Sequence, residues 1–362
     1  MILLSSIINL FEARFLEHYQ GQLLPVHRQA LGAMRDCRTH QGPLMLAQCG
    51  ECEEQVYVPH SCGHRNCPHC QHHESQQWLE RQLKKQVPGE YFLLTFTLPA
   101  QFRPLAWAHQ RKVYDVMIKC CWETLETFSQ NDQQLQGTPG AIAVLHTHAR
   151  NLDYHPHVHV VMPAAAIDKA SKLWRTKKST KKKPYLFSHK ALAKVYRAKV
   201  LEAITQAGFT LPRQHPDKWV VDCKAVGCGE KALIYLGRYL YRGVIQEKDI
   251  VRCENGEVTF RYQNSKTKEM AFKTVSGEQF LWLLLQHVLP KRFRRARNFG
   301  FLHPNSKCLI QVLQLILGID PNRALAWMKK RPPMRCRCCG GTMKFIKRRI
   351  RPIAPSVKLV PV

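Results

Sequence analysis

Two short stretches of this chain gather side chains of the types that hold a metal ion and that act as nucleophiles. In HTHARNLDYHPHVHVVMP, residues 146–163, His157 and His159 flank Val158. Successive strand residues face opposite sides, so on a strand both imidazoles share one face while Val158 enters the core. Two imidazoles spaced in this way can hold one divalent ion. His146 and His148 repeat the spacing just upstream, so a third ligand is expected from His146, His148 or Asp153, with His155 a further alternative. The second stretch is EKALIYLGRYLYRGVI, residues 230–245. Its Leu233, Leu236, Leu240 and Val244 form an apolar stripe at helical spacing. Tyr235 and Tyr239 stand one turn apart on another face, accompanied by Arg238 and Arg242.

A phenol, with a pKa near ~10, is a weak nucleophile at neutral pH unless its proton is removed or its target is activated. A Mg²⁺ or Mn²⁺ ion on His157 and His159 would polarise a non-bridging oxygen of a scissile phosphate. Tyrosine attack then leaves a 5′-phosphotyrosine and a free 3′ hydroxyl. That link conserves the phosphodiester energy, so religation needs no ATP, and two tyrosines permit two successive transfers. A tyrosine pair at helical spacing is more often packing when it stands alone. Beside a metal-binding histidine hairpin in a strongly basic chain it reads as a pair of nucleophiles.

Cysteines form the next cluster. Cys49-x2-Cys52 and Cys67-x2-Cys70 are two knuckles whose four thiolates could close a tetrahedron around a structural zinc ion. Cys62 and Cys37 are additional ligand candidates, as are His60 and His64, and one or two ions fit the spacing. Near the C-terminus, Cys336-x2-Cys339 is half a site, needing two further ligands such as Cys308 or His303. The N-terminus has no charged region followed by a cleavable apolar segment, so a reducing cytoplasm is expected, with metal ligation as the leading use of the cysteines.

The elements that must position these groups can be read from their patterns. Residues 91–98, 141–147 and 157–162 read as strands, the last two as an antiparallel hairpin, with a later strand pair at 257–263 and 270–275. Helical periodicity covers 103–130, 189–207 and 230–245. The resulting class is α+β. Residues 1–88 are expected to form a zinc-binding DNA-contact domain and 89–250 the catalytic sheet domain, with a Lys-rich loop at 169–184. A basic extension follows at 251–335, then a Cys-containing tail at 336–362.

The 362 residues include 55 Lys and Arg against 26 Asp and Glu, a net charge of +29, which argues against an ordinary metabolic enzyme and for a polyanionic partner. The densest patch is KRFRRAR, where Lys291, Arg292, Arg294, Arg295 and Arg297 surround Phe293 and are expected to contact nucleic acid. No apolar run approaches the ~20 residues of a membrane span.

In order, the segments SCGHRNCPHCQ (61–71), HTHARNLDYHPHVHVVMP, YLGRYLYRG (235–243), VTFRY (258–262), FLWLLLQHVLPKRFRRARNFGFL (280–302) and CRCCGG (336–341) resemble the rolling-circle insertion-sequence transposases of the two-tyrosine HUH superfamily. The resemblance spans roughly residues 25–345. It implies a single-strand DNA endonuclease and strand transferase acting on transposon ends and target DNA, with metal ligands at His157 and His159 and nucleophiles at Tyr235 and Tyr239. It also implies a central antiparallel sheet with the histidines on a middle strand, helices on its faces, and a small zinc-binding domain in front. The stretch after the second strand reads Ala164-Ala165-Ala166, where the family has glycines. A relaxase or replication initiator would share this chemistry. A zinc-containing DNA-binding protein without catalysis would bind strands and form no covalent adduct, and a zinc hydrolase would need neither the tyrosine pair nor the charge.

Overall fold

The computed structural model describes residues 2–67, 69–168, 170–171, 173–178, 185–241, 243–264, 267–328, 332–351 and 359. Arg242, the Arg238 side chain and half of the Lys-rich loop at 169–184 lie outside the described residues. The helices are α1 (Leu4–Tyr19), α2 (Pro25–Arg35), α3 (His72–Leu83), α4 (Arg103–Ala108), α5 (Gln110–Asn131), α6 (His189–Gln206), α7 (Glu230–Tyr241), α8 (Gly277–Leu285) and α9 (Lys307–Ile316). The first strands are β1 (Leu44–Cys49), β2 (Gln55–Pro59), β3 (Tyr91–Thr97), β4 (Thr138–His148), β5 (Tyr154–Pro163), β6 (Ala165–Ile167) and β7 (Trp174–Thr176). They are followed by β8 (Val221–Ala225), β9 (Ile250–Glu254), β10 (Glu257–Gln263), β11 (Met270–Ser276), β12 (Ala296–Gly300) and β13 (Met343–Ile350).

Fold class follows the expectation: an antiparallel sheet with helices on its faces, in an α+β chain. The central sheet runs β7-β6-β4-β5-β3-β8, with β12 also paired to β4. Strand alternation decides what each face carries. Val158 and Val160 of β5, with Ala143 and Leu145 of β4, are buried in a core that includes Tyr114 and Ile118 of α5 and Tyr196 and Val200 of α6. The opposite face presents Ile142, Val144 and Val161, which pack with Leu233, Leu236 and Leu240 of α7 and Trp78 and Leu79 of α3. That is the face of His146 and His159, two residues along from Val144 and Val161. The amphipathic stripe of α7 therefore lays the tyrosine helix over the histidine side of the sheet. Gly237 makes the approach possible, since a Cβ there would sit 3.3 Å from the Trp78 ring.

Two expectations about elements change. The helical pattern over 103–130 is broken at His109, whose φ of −127° and ψ of 44° are non-helical, giving α4 and α5. The tyrosine helix stops at Tyr241, so Val244 lies beyond it. A glycine at 243 is a common end to such a helix.

Segment organisation also differs from the simple linear division. The apolar face of α1 (Leu4, Ile7, Ile8, Phe11, Phe15) buries against Phe280 and Leu281 of α8 and Phe260 of β10, so residues 1–88 share a core with 251–335. The segment expected to be a tail, 336–362, supplies β13, which pairs antiparallel with β1 in a three-stranded sheet β13-β1-β2. Hydrophobic pattern fixes that a helix is amphipathic, but not which apolar face elsewhere in the chain covers it. Among the described residues no helix is long and apolar enough to cross a membrane.

Candidate active site and metal centres

Pairing registers bring three imidazoles together. His157 stands opposite His146 and His159 opposite Val144 across β4 and β5. One ligand nitrogen from each of His146, His157 and His159 lies within 4.8 Å of the others. His157 Nδ1 is 2.7 Å from the His155 carbonyl, and His159 Nδ1 is 3.0 Å from the Thr95 hydroxyl on β3. Each Nδ1 is thus occupied, which leaves Nε2 as the ligand atom and fixes the ring orientation. His146 is 1% exposed, and neither of its ring nitrogens has a hydrogen-bond partner. Buried polar atoms are seldom left so, and an ion on this nitrogen would satisfy it. The donor set suits a divalent metal.

Burial keeps all three rings neutral, with lone pairs available. It pushes His146 well below the ordinary imidazole range, His157 to about 4 and His159 to about 3; neighbouring imidazoles push the same way, while the His155 carbonyl opposes the shift at His157 and Asp222 opposes it at His159. The other candidate ligands are engaged elsewhere. Asp153 is ion-paired with Lys273 at 2.8 Å and accepts from Asn151, His155 lies 2.9 Å from Arg103, and His148 belongs to the tyrosine contact.

Both tyrosines of α7 reach this cluster, in different ways. The Tyr239 ring stacks on His146 with centroids 3.5 Å apart and planes 3° from parallel. Its hydroxyl donates to the His148 carbonyl at 3.1 Å and lies 3.0 Å from His148 Nδ1. Tyr235 is 46% exposed, with its ring edge-on to His159 at 6.2 Å and 6.0 Å from Tyr239. Burial raises both phenols above their usual range, further at Tyr239, where Tyr235 adds to the rise.

A small cavity of about 30 Å³ beside Tyr239 is lined by Arg65, Asn66, His148, His287 and Arg295. Arg295 is brought there by strand pairing: its carbonyl accepts from Leu145 N at 2.8 Å, next to His146. The rest of the expected basic patch continues along β12. Arg292, Arg294 and Arg297 line an open groove of about 770 Å³ with Trp78, Arg81, Lys85, Arg111 and His303. Arg297 is paired with Asp115, Phe293 is buried rather than available for stacking, and Lys291 is exposed, its carbonyl bonded by Arg111. Sequence reasoning missed Arg81 of α3, Lys85 in the turn just after it and Arg111 of α5, which carry no local signal.

The four-thiol zinc set expected from Cys49, Cys52, Cys67 and Cys70 is corrected by the structure, which divides those knuckles between two groups. Cys67 and Cys70 join Cys37 and Cys62, while Cys49 and Cys52 join Cys336 and Cys339. The half-site near the C-terminus is therefore completed by neither Cys308 nor His303. Spacing shows which cysteines are paired, but not which pairs meet. In the first group Cys67 Sγ is 3.4 Å from Cys37 Sγ, and Cys70 Sγ is 3.6 Å from both Cys37 and Cys62. An ion in such a closed thiolate site contributes on the order of 10 kcal/mol of folding free energy in small modules.

Buried neutral histidines outside the three-imidazole ligand set define an acid limit. Burial depresses His27 and His287 to about 4 each, with the Leu152 carbonyl opposing the shift at His287. Their unfolded values are near 6.5, so between about 6.5 and 4 the unfolded chain binds more protons and stability falls as pH falls. From pH 7 to pH 5 each should cost about 2 kcal/mol. Calorimetry should show a lower denaturation midpoint at pH 5 than at pH 7, and a flat profile would contradict the neutral assignment.

Comparison with known proteins places this arrangement. A family model described as "Transposase zinc-binding domain", of the IS91 type, matches residues 7–98, and one described as "Putative transposase", of the Y2 type, matches residues 140–308. Both matched segments are those of insertion-sequence transposases, the zinc-binding one lying toward the N-terminus. It is 29% identical over 316 residues to "Putative transposase y4qJ" of Sinorhizobium fredii, covering 80% of this chain and 78% of that one. It is 26% identical to the transposase for insertion sequence element IS801 of Pseudomonas savastanoi pv. phaseolicola, covering 90% and 85%. Among solved structures, conjugative relaxase TrwC in complex with oriT DNA aligns in a metal-free form with TM-score 0.28 and 17% identity, over 63% of this chain and 72% of that one. Its metal-bound form gives a TM-score of 0.29 and 16% identity over 64% and 73%.

Proposed function

We propose that this transposase nicks single-stranded DNA at transposon ends and transfers the cut strand through a 5′-phosphotyrosine, with Tyr235 and Tyr239 as nucleophiles. The observation that carries this reading is the convergence of three neutral imidazoles, one with both nitrogens unpartnered, beneath two phenols on a single helix. His146, His157 and His159 would hold the ion. A bound Mg²⁺ or Mn²⁺ supplies positive charge against a non-bridging oxygen of the scissile phosphate. His155 and Thr95 hold the ligand rings in place. Arg295, beside His146, would meet a phosphate of the entering strand. A phenol oxygen bonds to phosphorus, the bond to the 3′ oxygen breaks, and the proton lost by the phenol is matched by the one gained at the 3′ hydroxyl. Reversal with a new 3′ hydroxyl completes the transfer.

Residues 89–250 together with β12 form the catalytic unit in this proposal, and the groove along Arg292, Arg294 and Arg297 guides the strand through its phosphates. Arg238 and Arg242, which flank Tyr239 in the sequence, belong with them as proposed DNA contacts. Zinc is structural, and the reaction is cytoplasmic.

The test uses the purified chain, Mn²⁺ and single-stranded oligonucleotides from the ends of its own element, labelled at the 3′ end. Label should migrate with the protein through a denaturing gel and be released as tyrosine-linked DNA after proteolysis. Strand binding without any covalent label would leave only a zinc-containing DNA-binding protein and overturn the proposal.

A further inference from the structure

The group Cys49, Cys52, Cys336 and Cys339 reaches beyond the matched zinc-binding domain, which ends at residue 98. We infer that these four thiolates form a second zinc site that clasps the C-terminal segment to the N-terminal sheet. The inference is independent of the nicking chemistry.

Geometry supports a metal rather than disulfides or a chance gathering of thiols. Cys49 Sγ is 3.4 Å from Cys339 Sγ, and Cys52 Sγ is 3.7 Å from Cys336 Sγ, while all four lie within 4.8 Å of one another. Bonded sulfurs would be ~2 Å apart, whereas a tetrahedron with ~2.3 Å zinc–sulfur bonds has edges near ~3.8 Å. Both knuckles also turn backbone donors onto sulfur. Glu51 N points to Cys49 Sγ, Cys338 N to Cys336 Sγ and Gly341 N to Cys339 Sγ, each at 3.4 Å. Such donors stabilise thiolate over thiol. Gly341 leaves the space this needs: a Cβ there would fall 2.7 Å from Glu51 Cγ, 3.1 Å from Cys49 Sγ and 3.2 Å from Cys339 Sγ. Four sulfur ligands with no open position select zinc in a structural role.

Something must hold this module together, because its apolar core is small. Among the described residues its buried cluster is Ala47, Cys49, Val58, Cys336 and Met343, with Met45, Val56 and Met334 partly buried against it. A core of that size does not support a three-stranded sheet without a further link. The ion would tie Cys336 and Cys339 to β1 just where Cys49 pairs with Met343, fixing β13 as the edge strand. The exposed Lys344, Lys347, Arg348 and Arg349 of β13 thereby become part of the N-terminal module's surface.

The experiment measures metal and thiol reactivity in the full-length chain. The Cys336→Ser/Cys339→Ser variant should carry one zinc fewer than the parent. After cobalt substitution it should show about half the parent's thiolate-to-cobalt charge-transfer absorbance, a band to which the histidine cluster contributes nothing. Cys338 is exposed and outside the group, so Cys338→Ser should match the parent in both readings. Retention of the parent's zinc and absorbance by the double variant would overturn the site. Alkylation of the parent settles the matter if that variant does not fold. Cys52 and Cys339 are exposed, so burial alone cannot shield them. They should resist iodoacetamide until a chelator is added, while Cys338 reacts at once; equal rates for all three in the metal-replete chain would refute the clasp.

Discussion

Replacing His146 with phenylalanine should reduce covalent adduct at least ~100-fold at limiting Mn²⁺ without unfolding the chain. Loss of a supporting group around a ligand already costs 10–100-fold in such sites, and His146 is proposed as a ligand itself. Phenylalanine keeps a flat ring under Tyr239, whose plane lies 3° from that of His146, and introduces no polar atom. The imidazole gives up no hydrogen bond, because neither nitrogen has one. An unpartnered buried polar group costs about 1–3 kcal/mol, so the metal-free variant should be as stable as the parent or more so. What should vanish is stabilisation by added Mn²⁺, seen as a rise in denaturation temperature with metal concentration. Asp153→Asn should leave that rise intact, since Asp153 is spent on Lys273 and Asn151. A His146→Phe chain still stabilised by Mn²⁺ and still forming adduct would remove His146 from the ligand set.

The contrast between His146 and Asp153 shows what could be read from sequence and what could not. That His157 and His159 share a face follows from period-2 alternation alone, and Val158 is fully buried as that argument requires. The stripe of Leu233, Leu236 and Leu240 likewise places Tyr235 and Tyr239 relative to the buried side of their own helix. The third ligand depends on register between β4 and β5. A two-residue change would have put His148, rather than His146, opposite His157, and the turn at Asn151 and Asp153 does not decide between them. The cysteines repeat the lesson over a longer distance. Four knuckle thiols in the first 70 residues look like one site, yet the structure partners Cys49 with Cys339, 290 residues away. Local spacing reports the knuckle, whereas the partner is chosen by sheet pairing of β1 with β13, which leaves no mark near Cys49. The groove cations Arg81, Lys85 and Arg111 were hidden for the same reason: each looks like an ordinary solvated charge until α3, the turn after it and α5 are placed beside β12.

The two tyrosines should prove unequal. With both changed to phenylalanine, covalent adduct should disappear, because among the described side chains of α7 these two phenols alone approach the histidines; unchanged yield would end the tyrosine mechanism. The single changes separate their roles. Tyr235 is 46% exposed and edge-on to His159, open to an entering phosphate. Tyr239 is half-buried, stacked on His146, with its hydroxyl held by the His148 carbonyl and close to His148 Nδ1. Before it can attack it must give up that contact and swing off the ring, and its phenol is the harder of the two to ionise, through burial first and the neighbouring Tyr235 second. In a single turnover on a short strand, Tyr235→Phe should therefore lose most of the adduct and Tyr239→Phe should retain most of it. Strand transfer between two ends needs two nucleophiles and should fail in both. His148→Ala keeps the backbone carbonyl and removes only the imidazole, so it should loosen Tyr239 and raise adduct yield in the Tyr235→Phe background. Near-complete loss with Tyr239→Phe alone, and normal first cleavage with Tyr235→Phe, would reverse the order and make the His148 contact the cocked state of the first nucleophile.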